Sequence, residues 1–368
     1  MTRYAERLER ISEGLRGRGV DVLALLPGAN FTYCTGLRKS QTERPIILFL
    51  LATRRPALVV PALERGTIAA AIPFPADFYS YTDESGPTGA FRAAVRELRL
   101  ARARIGVEPL GMRLLEWQGL ACEAEGCAPE DVSDLLSSLR LTKDAGELDA
   151  MREAARITEV ALATTVREVK PGRTEREVEA ALYIALLRAG CEGFAFEAQV
   201  LSGPRGALQH VTASDRRIEA GDALIFDVGA AYRGYLADLT RTFALGHATN
   251  ELRSLYEIVF QANAAARAAV APGASAESVD RAARRVIEDA GYGEGFFHRT
   301  GHGLGLEIHE PPYIVAGNRL ALRPGMTFTI EPGIYLSGRL GVRIEDDVVV
   351  TAAGCESLTT YPRELTVV

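Results

Sequence analysis

Residues 223–243 read ALIFDVGAAYRGYLADLTRTF. Two apolar, β-prone arms flank a turn-like centre at Ala231–Gly234, the signature of a β-hairpin. Each arm carries one aspartate among apolar neighbours, Asp227 in IFDVG and Asp238 in LADLT. Folding about a centre between Tyr232 and Arg233 sets Asp227 opposite Asp238 on one face, with Cβ atoms about 4.5–5.5 Å apart. Carboxylates so close on an apolar sheet repel and desolvate each other unless a shared proton or a cation compensates. Taken alone, the stretch allows either such a pair or an aspartate that is an ordinary turn or edge residue in water.

The surrounding chain repeats itself. Before the hairpin, residues 148–168 form an alanine-rich helical pattern, followed by a turn and second helix, VKPGRTEREVEAALYIALLRAG. The pattern returns in SLYEIVFQANAAARAAV and VAPGASAESVDRAARRVIEDAG. Val169, Pro171, Gly172, Val178, Ala189 and Gly190 align at one constant offset with Val270, Pro272, Gly273, Val279, Ala290 and Gly291. A proline-glycine before a helix is common, but six matches at one offset are better explained by duplication. Duplication calls for a second hairpin, and TFTIEPGIYLSGRLGVRIEDDVVV supplies it. Glu331 and Glu345 stand equally far from its central Gly338, so they are expected to face each other.

The rest of the composition sets bounds. A chain of 368 residues suits two domains. A net charge of −6 without long like-charge runs excludes a nucleic-acid groove or a membrane-surface patch. No apolar run approaches a membrane span, and MTRYAERLERI has no signal-peptide core. Five scattered cysteines, with no second pair beside Cys122 and Cys127, imply the reducing cytosol rather than a disulfide framework. In residues 1–135, strands at VDVLALL, RPIILFLLA, ALVVPA, Asp77–Tyr81 and Arg104–Val107 alternate with helices at residues 1–18, Ala62–Ala71, Gly89–Leu100 and Leu110–Gly126. That reads as an α/β domain of its own, without a glycine-rich phosphate loop after any strand. The polar stretch around residues 136–147 reads as a linker, and 148–368 as the second domain.

Two pseudo-symmetric hairpins brought together would offer Asp227, Asp238, Glu331 and Glu345 to one cavity. Four carboxylates in an apolar pocket do not share protons plausibly, but they can cage two divalent cations about 3.5–4 Å apart. A nitrogen ligand would move the preference from magnesium or calcium towards manganese, cobalt or zinc. Of five histidines, His298, His302 and His309 cluster in FFHRTGHGLGLEIHEPP and His210 ends SGPRGALQH, while His247 reads as a surface loop residue.

These residues carry a resemblance. From about residue 148 onward the chain is similar to the pita-bread metallopeptidases, the family of methionine aminopeptidase, aminopeptidase P and prolidase. The first 130 or so residues resemble the N-terminal domain shared by aminopeptidase P, prolidase and creatinase. The motifs are FDVG (Asp227), ADLTR (Asp238), TGHGLG (His302), TIEPG (Glu331) and RIED (Glu345). The fold class implied is α/β (α+β), a creatinase-like N-terminal domain plus a pita-bread catalytic domain with pseudo-two-fold duplication. The resemblance implies Asp238 and Glu345 as ligands bridging two metal ions. Asp227 would complete one ion's shell, and His302 and Glu331 the other's. Manganese is the first expectation, with cobalt or zinc as alternatives. A hydroxide bridging the ions would attack the peptide carbonyl, Glu331 would shuttle its proton to the leaving nitrogen, and His210 and His309 would contact the carbonyl or oxyanion. His298 would line the substrate site. Arg343 would either brace the ligands at the edge of that site or stand solvated on its strand.

The extra N-terminal domain points to the proline-specific branch, with small peptides carrying proline in second position as substrates and a homodimer as the common assembly. A dipeptidase must hold a free carboxylate, for which a guanidinium is the natural clamp. Many prolidases place that arginine where this chain has Tyr313, which can donate one hydrogen bond but no charge. Arg44, then Arg38, in GLRKSQTERP are the expected substitutes. The expected activity is Xaa-Pro dipeptide hydrolysis (prolidase). The alternatives are an aminopeptidase P acting on longer peptides and a non-catalytic peptide-binding module.

Overall fold

The computed structural model describes residues 3–52, 54–209 and 211–368. Backbone proximity divides the chain into two units, Met1–Arg140 and Leu141–Val368. No helix among the described residues is long and apolar enough to cross a membrane.

In the N-terminal unit the apolar runs become strands because a sheet between helices buries both of its faces. Its elements are α1 (Arg3–Arg18), β1 (Val22–Leu25), α2 (Ala29–Thr35), β2 (Ile47–Leu51), β3 (Ala57–Pro61), α3 (Ala62–Ala71), β4 (Asp77–Tyr81), α4 (Thr88–Leu98), β5 (Arg104–Val107), α5 (Leu114–Glu123), β6 (Ala128–Asp131) and α6 (Ser133–Arg140). The sheet runs β4-β3-β2-β1-β5-β6. The β1–β2 and β2–β3 pairs are antiparallel and the other pairs parallel. Helix α2 lies in PGANFTYCTG, where the sequence indicates a loop. Burial of Phe31, Tyr33 and Cys34 outweighs the weak helix propensity of that segment. The stretch 136–147, expected as a linker, is helical up to Arg140, because Leu135, Leu136 and Leu139 are buried.

The second unit contains α7 (Ala145–Val166), α8 (Glu175–Arg188), β7 (Gly193–Phe194), β8 (Gln199–Ser202), β9 (Ala223–Val228), β10 (Ala230–Tyr232), β11 (Tyr235–Leu236), β12 (Leu239–Ala244), α9 (Asn250–Ala269), α10 (Ala276–Asp289), β13 (Gly301–Gly303), β14 (Glu310–Ile314), β15 (Thr327–Ile330), β16 (Gly333–Leu336), β17 (Leu340–Arg343), β18 (Asp346–Thr351), β19 (Gly354–Ser357) and β20 (Thr366–Val367). Helix α7 begins at a capping box, the Asp144 side chain on Glu147 N–H and the Glu147 side chain on Asp144 N–H.

The duplication is visible in three dimensions. Helices α8 and α10 both span 14 residues, and they keep the offset that relates Pro171 to Pro272. Gly172 and Gly273 before them have φ of 90° and 84°, and Gly190 and Gly291 after them 99° and 84°. All four sit in the left-handed region where glycine carries no Cβ penalty. Strands β8-β9-β12 in one sheet correspond to β13-β15-β18 in the other. The two sheets meet where Glu345 N–H donates to Thr240 O (3.0 Å) and Arg343 N–H to Thr242 Oγ1 (3.0 Å).

The first hairpin differs from its expected register. Asp227 lies opposite Thr240, and Tyr232 opposite Tyr235. The turn is centred on Arg233 and Gly234, both at positive φ (50° and 85°), as a two-residue type I′ turn requires. Moving the centre by one residue slips the pairing by two. An even slip preserves the face, so Asp238 remains on the face of Asp227 as a diagonal rather than a direct neighbour. In the second hairpin, Ile330 pairs with Asp346 and Gly333 with Arg343, a single register that sets Glu331 opposite Glu345.

Candidate metal centre and active-site cavity

The inward faces of the two hairpins and of β13 line a cavity of roughly 550 Å3, which includes Asp227, Asp238, His298, Arg299, His302, His309, Glu331, Arg343 and Glu345. His302 sits on β13 between two glycines. A Cβ on Gly301 would lie 1.8 Å from Thr329 O, and one on Gly303 2.3 Å from Pro311 O. Only glycine lets β13 approach both neighbours closely enough to place the imidazole. The His302 N–H donates to Thr329 Oγ1 (3.0 Å), whose hydroxyl donates to Glu331 Oε1 (3.2 Å). His302 Nδ1 lies 3.2 Å from Gly303 O. A carbonyl only accepts, so Nδ1 carries the proton and Nε2 presents its lone pair inward. Nε2 is 3.3 Å from Glu331 Oε1 and 3.6 Å from Asp238 Oδ2. Atoms of Asp238, His302 and Glu345 that could hold a metal ion all lie within 4.8 Å of one another.

The carboxylates are held from behind. Thr240 Oγ1 donates to Glu345 Oε2 (2.6 Å), and the Asp238 N–H donates to Asp347 Oδ2 (2.9 Å). The Arg343 guanidinium donates to Asp227 Oδ2, to Thr240 Oγ1 (3.1 Å) and to Tyr335 OH (3.1 Å). Arg343 is thus buried among the carboxylates and not solvated on its strand. From Tyr335 a polarised chain continues. His298 Nδ1–H donates to Arg299 O (2.7 Å), which leaves Nε2 to accept from the Tyr335 hydroxyl (3.0 Å). Burial, then the Arg343 charge, pushes His298 down to about 4. Burial and the neighbouring His309 push His302 down to about 3. Both imidazoles are therefore neutral at physiological pH. The His309 ring stands perpendicular to that of His302, with centroids 4.3 Å apart.

Electrostatically the buried carboxylates oppose one another. Burial, then the repulsion of neighbouring carboxylates, raises Asp238 and Glu345 well above the usual range. Burial likewise raises Glu331 to about 7, although Arg343 opposes it. Asp227 Oδ1 and Asp238 Oδ1 are buried with no hydrogen-bond partner among the described residues. Buried carboxylate oxygens without partners are costly in a protein interior. They fit a divalent cation, and the donor set of carboxylates with one imidazole suits that role.

His210 lies outside the described residues. Tyr313 does not stand alone in β14, since the Arg299 guanidinium carbon lies 4.7 Å from its ring centroid. In the N-terminal unit, Arg44 is held by Asp83 through two hydrogen bonds (2.9 and 3.0 Å) and by Glu43 (2.6 Å). Arg38 is exposed. Sequence reasoning missed Thr240, Asp347, Thr329, Tyr335 and Arg299. All five lie inside or within two residues of the ligand motifs, but only the fold shows which of their neighbours they touch.

This fold and site define a hydrolytic metalloenzyme of the pita-bread class. Residues 149–352 match the family model described as Metallopeptidase family M24, and residues 7–142 match the Creatinase/Prolidase N-terminal domain. The chain belongs to metallopeptidase family M24, and membership implies divalent metal ions. It is 40% identical over 368 residues to a probable dipeptidase, PepE, of Mycobacterium bovis, covering 99% of this chain and 96% of that one. It is 34% identical over 362 residues to a Xaa-Pro dipeptidase of Lactobacillus delbrueckii subsp. lactis, covering 98% of each. Among solved structures, recombinant prolidase from Thermococcus sibiricus superposes with a TM-score of 0.95 at 35% identity, covering 100% of both chains.

Proposed function

We propose that this metallopeptidase is a Xaa-Pro dipeptidase working with two divalent cations, manganese foremost, held by Asp227, Asp238, His302, Glu331 and Glu345. The observation that carries the reading is the pair of buried oxygens on Asp227 and Asp238 that have no partner among the described residues, beside the inward-facing His302 Nε2. The relatives named for Xaa-Pro dipeptidase and prolidase activity support the substrate class. Bound there, divalent ions supply Lewis acidity, lowering the pKa of a water and polarising a peptide carbonyl.

The chain's own residues do the rest. Glu331, rooted by the Thr329 hydroxyl, carries a proton from the attacking water to the leaving nitrogen. His309, packed edge-on against His302, faces the scissile carbonyl. His210 is assigned to the same oxygen. Thr240, Asp347 and Arg343 fix the carboxylates so that little reorganisation accompanies the reaction. Dialysis against a chelator should abolish hydrolysis of Ala-Pro, and added manganese should restore it. Absence of metal-restored cleavage of this or any other Xaa-Pro peptide defeats the proposal.

Cation binding should also be proton-linked. A carboxyl whose folded-state pKa is raised holds a proton that the unfolded chain has lost. For Glu331 that window runs from its ordinary 4.5 to about 7. The metal-free fold therefore loses stability from this group as pH rises through the window. A cation needs the carboxylates ionised, so its affinity should fall about tenfold per pH unit for each proton displaced on acidification. The thermal shift produced by manganese should be larger at pH 8 than at pH 6. A shift that is equal or larger at pH 6 would contradict this.

A further inference from the structure

A dipeptide bound in this cavity brings a free α-carboxylate as well as its peptide bond. The cavity wall carries four carboxylates of the candidate centre and Glu197, so that second anion needs a dedicated cation. Two arginines line the wall, Arg299 and Arg343. Arg343 is buried, and each of its three guanidinium nitrogens already donates, to Asp227, Thr240 and Tyr335. Arg299 is half-buried. Among the described residues its guanidinium meets no carboxylate, and it lies over the face of the Tyr313 ring.

We propose that Arg299, seated on Tyr313, binds the C-terminal carboxylate of the dipeptide, in place of an arginine at position 313. Three observations support this clamp. A guanidinium stacked on a ring uses its face and leaves its N–H edges free, and those edges match a carboxylate as a two-pronged fork. The backbone of Arg299 is pinned on both sides. Its carbonyl accepts from His298 Nδ1 (2.7 Å), and the next residue, Thr300, donates to Ile314 O (3.0 Å), the neighbour of Tyr313. Arg284 braces the approach by donating to His298 O and Phe296 O, both at 2.9 Å. The charge also lies on the cavity wall that holds His302 and Glu331, the reacting end of the cavity. Arg44, by contrast, already has its charge offset by Asp83 and Glu43. The tyrosine at 313 thus supports the clamp from a neighbouring strand: an aromatic platform orders Arg299, where a second cation would repel it.

This inference rests on the dipeptidase reading, and one experiment separates the two. Manganese-loaded wild type, Arg299→Ala, Arg299→Lys, Tyr313→Phe and Tyr313→Ala are assayed on Ala-Pro and on its C-terminal amide. The expected result is a rise in KM for Ala-Pro on the order of 10- to 100-fold in Arg299→Ala, with little change in kcat or in cleavage of the amide. Arg299→Lys should recover part of the loss. Tyr313→Phe should resemble wild type, and Tyr313→Ala should fall between. Equal losses on acid and amide, or no loss on the acid, overturn the clamp. A wild type that cleaves Ala-Ala but not Ala-Pro overturns the preference for proline, and the same comparison on Ala-Ala and its amide then decides the role of Arg299. A wild type that takes amides as readily as free dipeptides overturns the clamp directly.

Discussion

Glu331→Gln should lower kcat for Ala-Pro by about 10³-fold while leaving the fold intact. The amide keeps an oxygen near the position of the carboxylate Oε1, 3.3 Å from His302 Nε2 and within reach of the Thr329 hydroxyl (3.2 Å). It loses the ability to accept and return a proton. Metal content measured alongside turnover separates loss of proton transfer from loss of a ligand. A variant that stays within about tenfold of wild type, with normal metal content, removes Glu331 from the proton-carrying role.

Arg241→Ala should be among the most destabilising single changes in the second unit. Arg241 is 1% exposed. It donates to Asp346 Oδ1 (2.7 Å), Glu345 O (2.5 Å), Tyr361 O (2.7 Å) and Pro362 O (2.9 Å). Burial works to raise Asp346, but Arg241 and Arg363 hold it below the usual carboxylate range. Removing one partner of such a pair leaves a buried charge partly uncompensated and several carbonyls without donors, which costs about 3–5 kcal/mol. For a unit of this size that is a fall in Tm on the order of 10 °C. Arg241→Lys should fare little better, because one ammonium cannot span acceptors on opposite sides of a planar fork. Glu345 sits next to Asp346, so weakened manganese binding should accompany the lower Tm. A fall below about 2 °C, typical of an exposed position, would show that Arg241 is not the keystone of this network.

Much of the site was legible in the linear chain for identifiable reasons. Asp227, Asp238, Glu331 and Glu345 each interrupt an apolar strand, a place where a charge needs a partner. The duplication then ties the two hairpins together, because equal offsets in sequence become equivalent positions in space. The first hairpin's register was not legible. It turns on whether Arg233 and Gly234 adopt positive φ together, and a sequence with several plausible centres leaves that open. The braces on the carboxylates were also hidden. Asp238 N–H reaches Asp347, and Thr240 reaches Glu345, across more than a hundred residues of chain. Helix α2 and the continuation of α6 to Arg140 escaped because burial, rather than local propensity, holds them.

The arginines show where the two kinds of information part. The sequence by itself determined that the chain has a doubled hairpin architecture. It also determined that the hairpin carboxylates share one face, since a two-residue strand period survives any even slip in register. It could not assign Arg44, Arg299 and Arg343 to partners. Only the tertiary structure pairs Arg44 with Asp83, Arg343 with Asp227 and Arg299 with Tyr313. The physical reason is range. A strand's facing pattern is a local steric property of consecutive residues, whereas a charge's partner depends on which distant segment packs within a few ångströms of it.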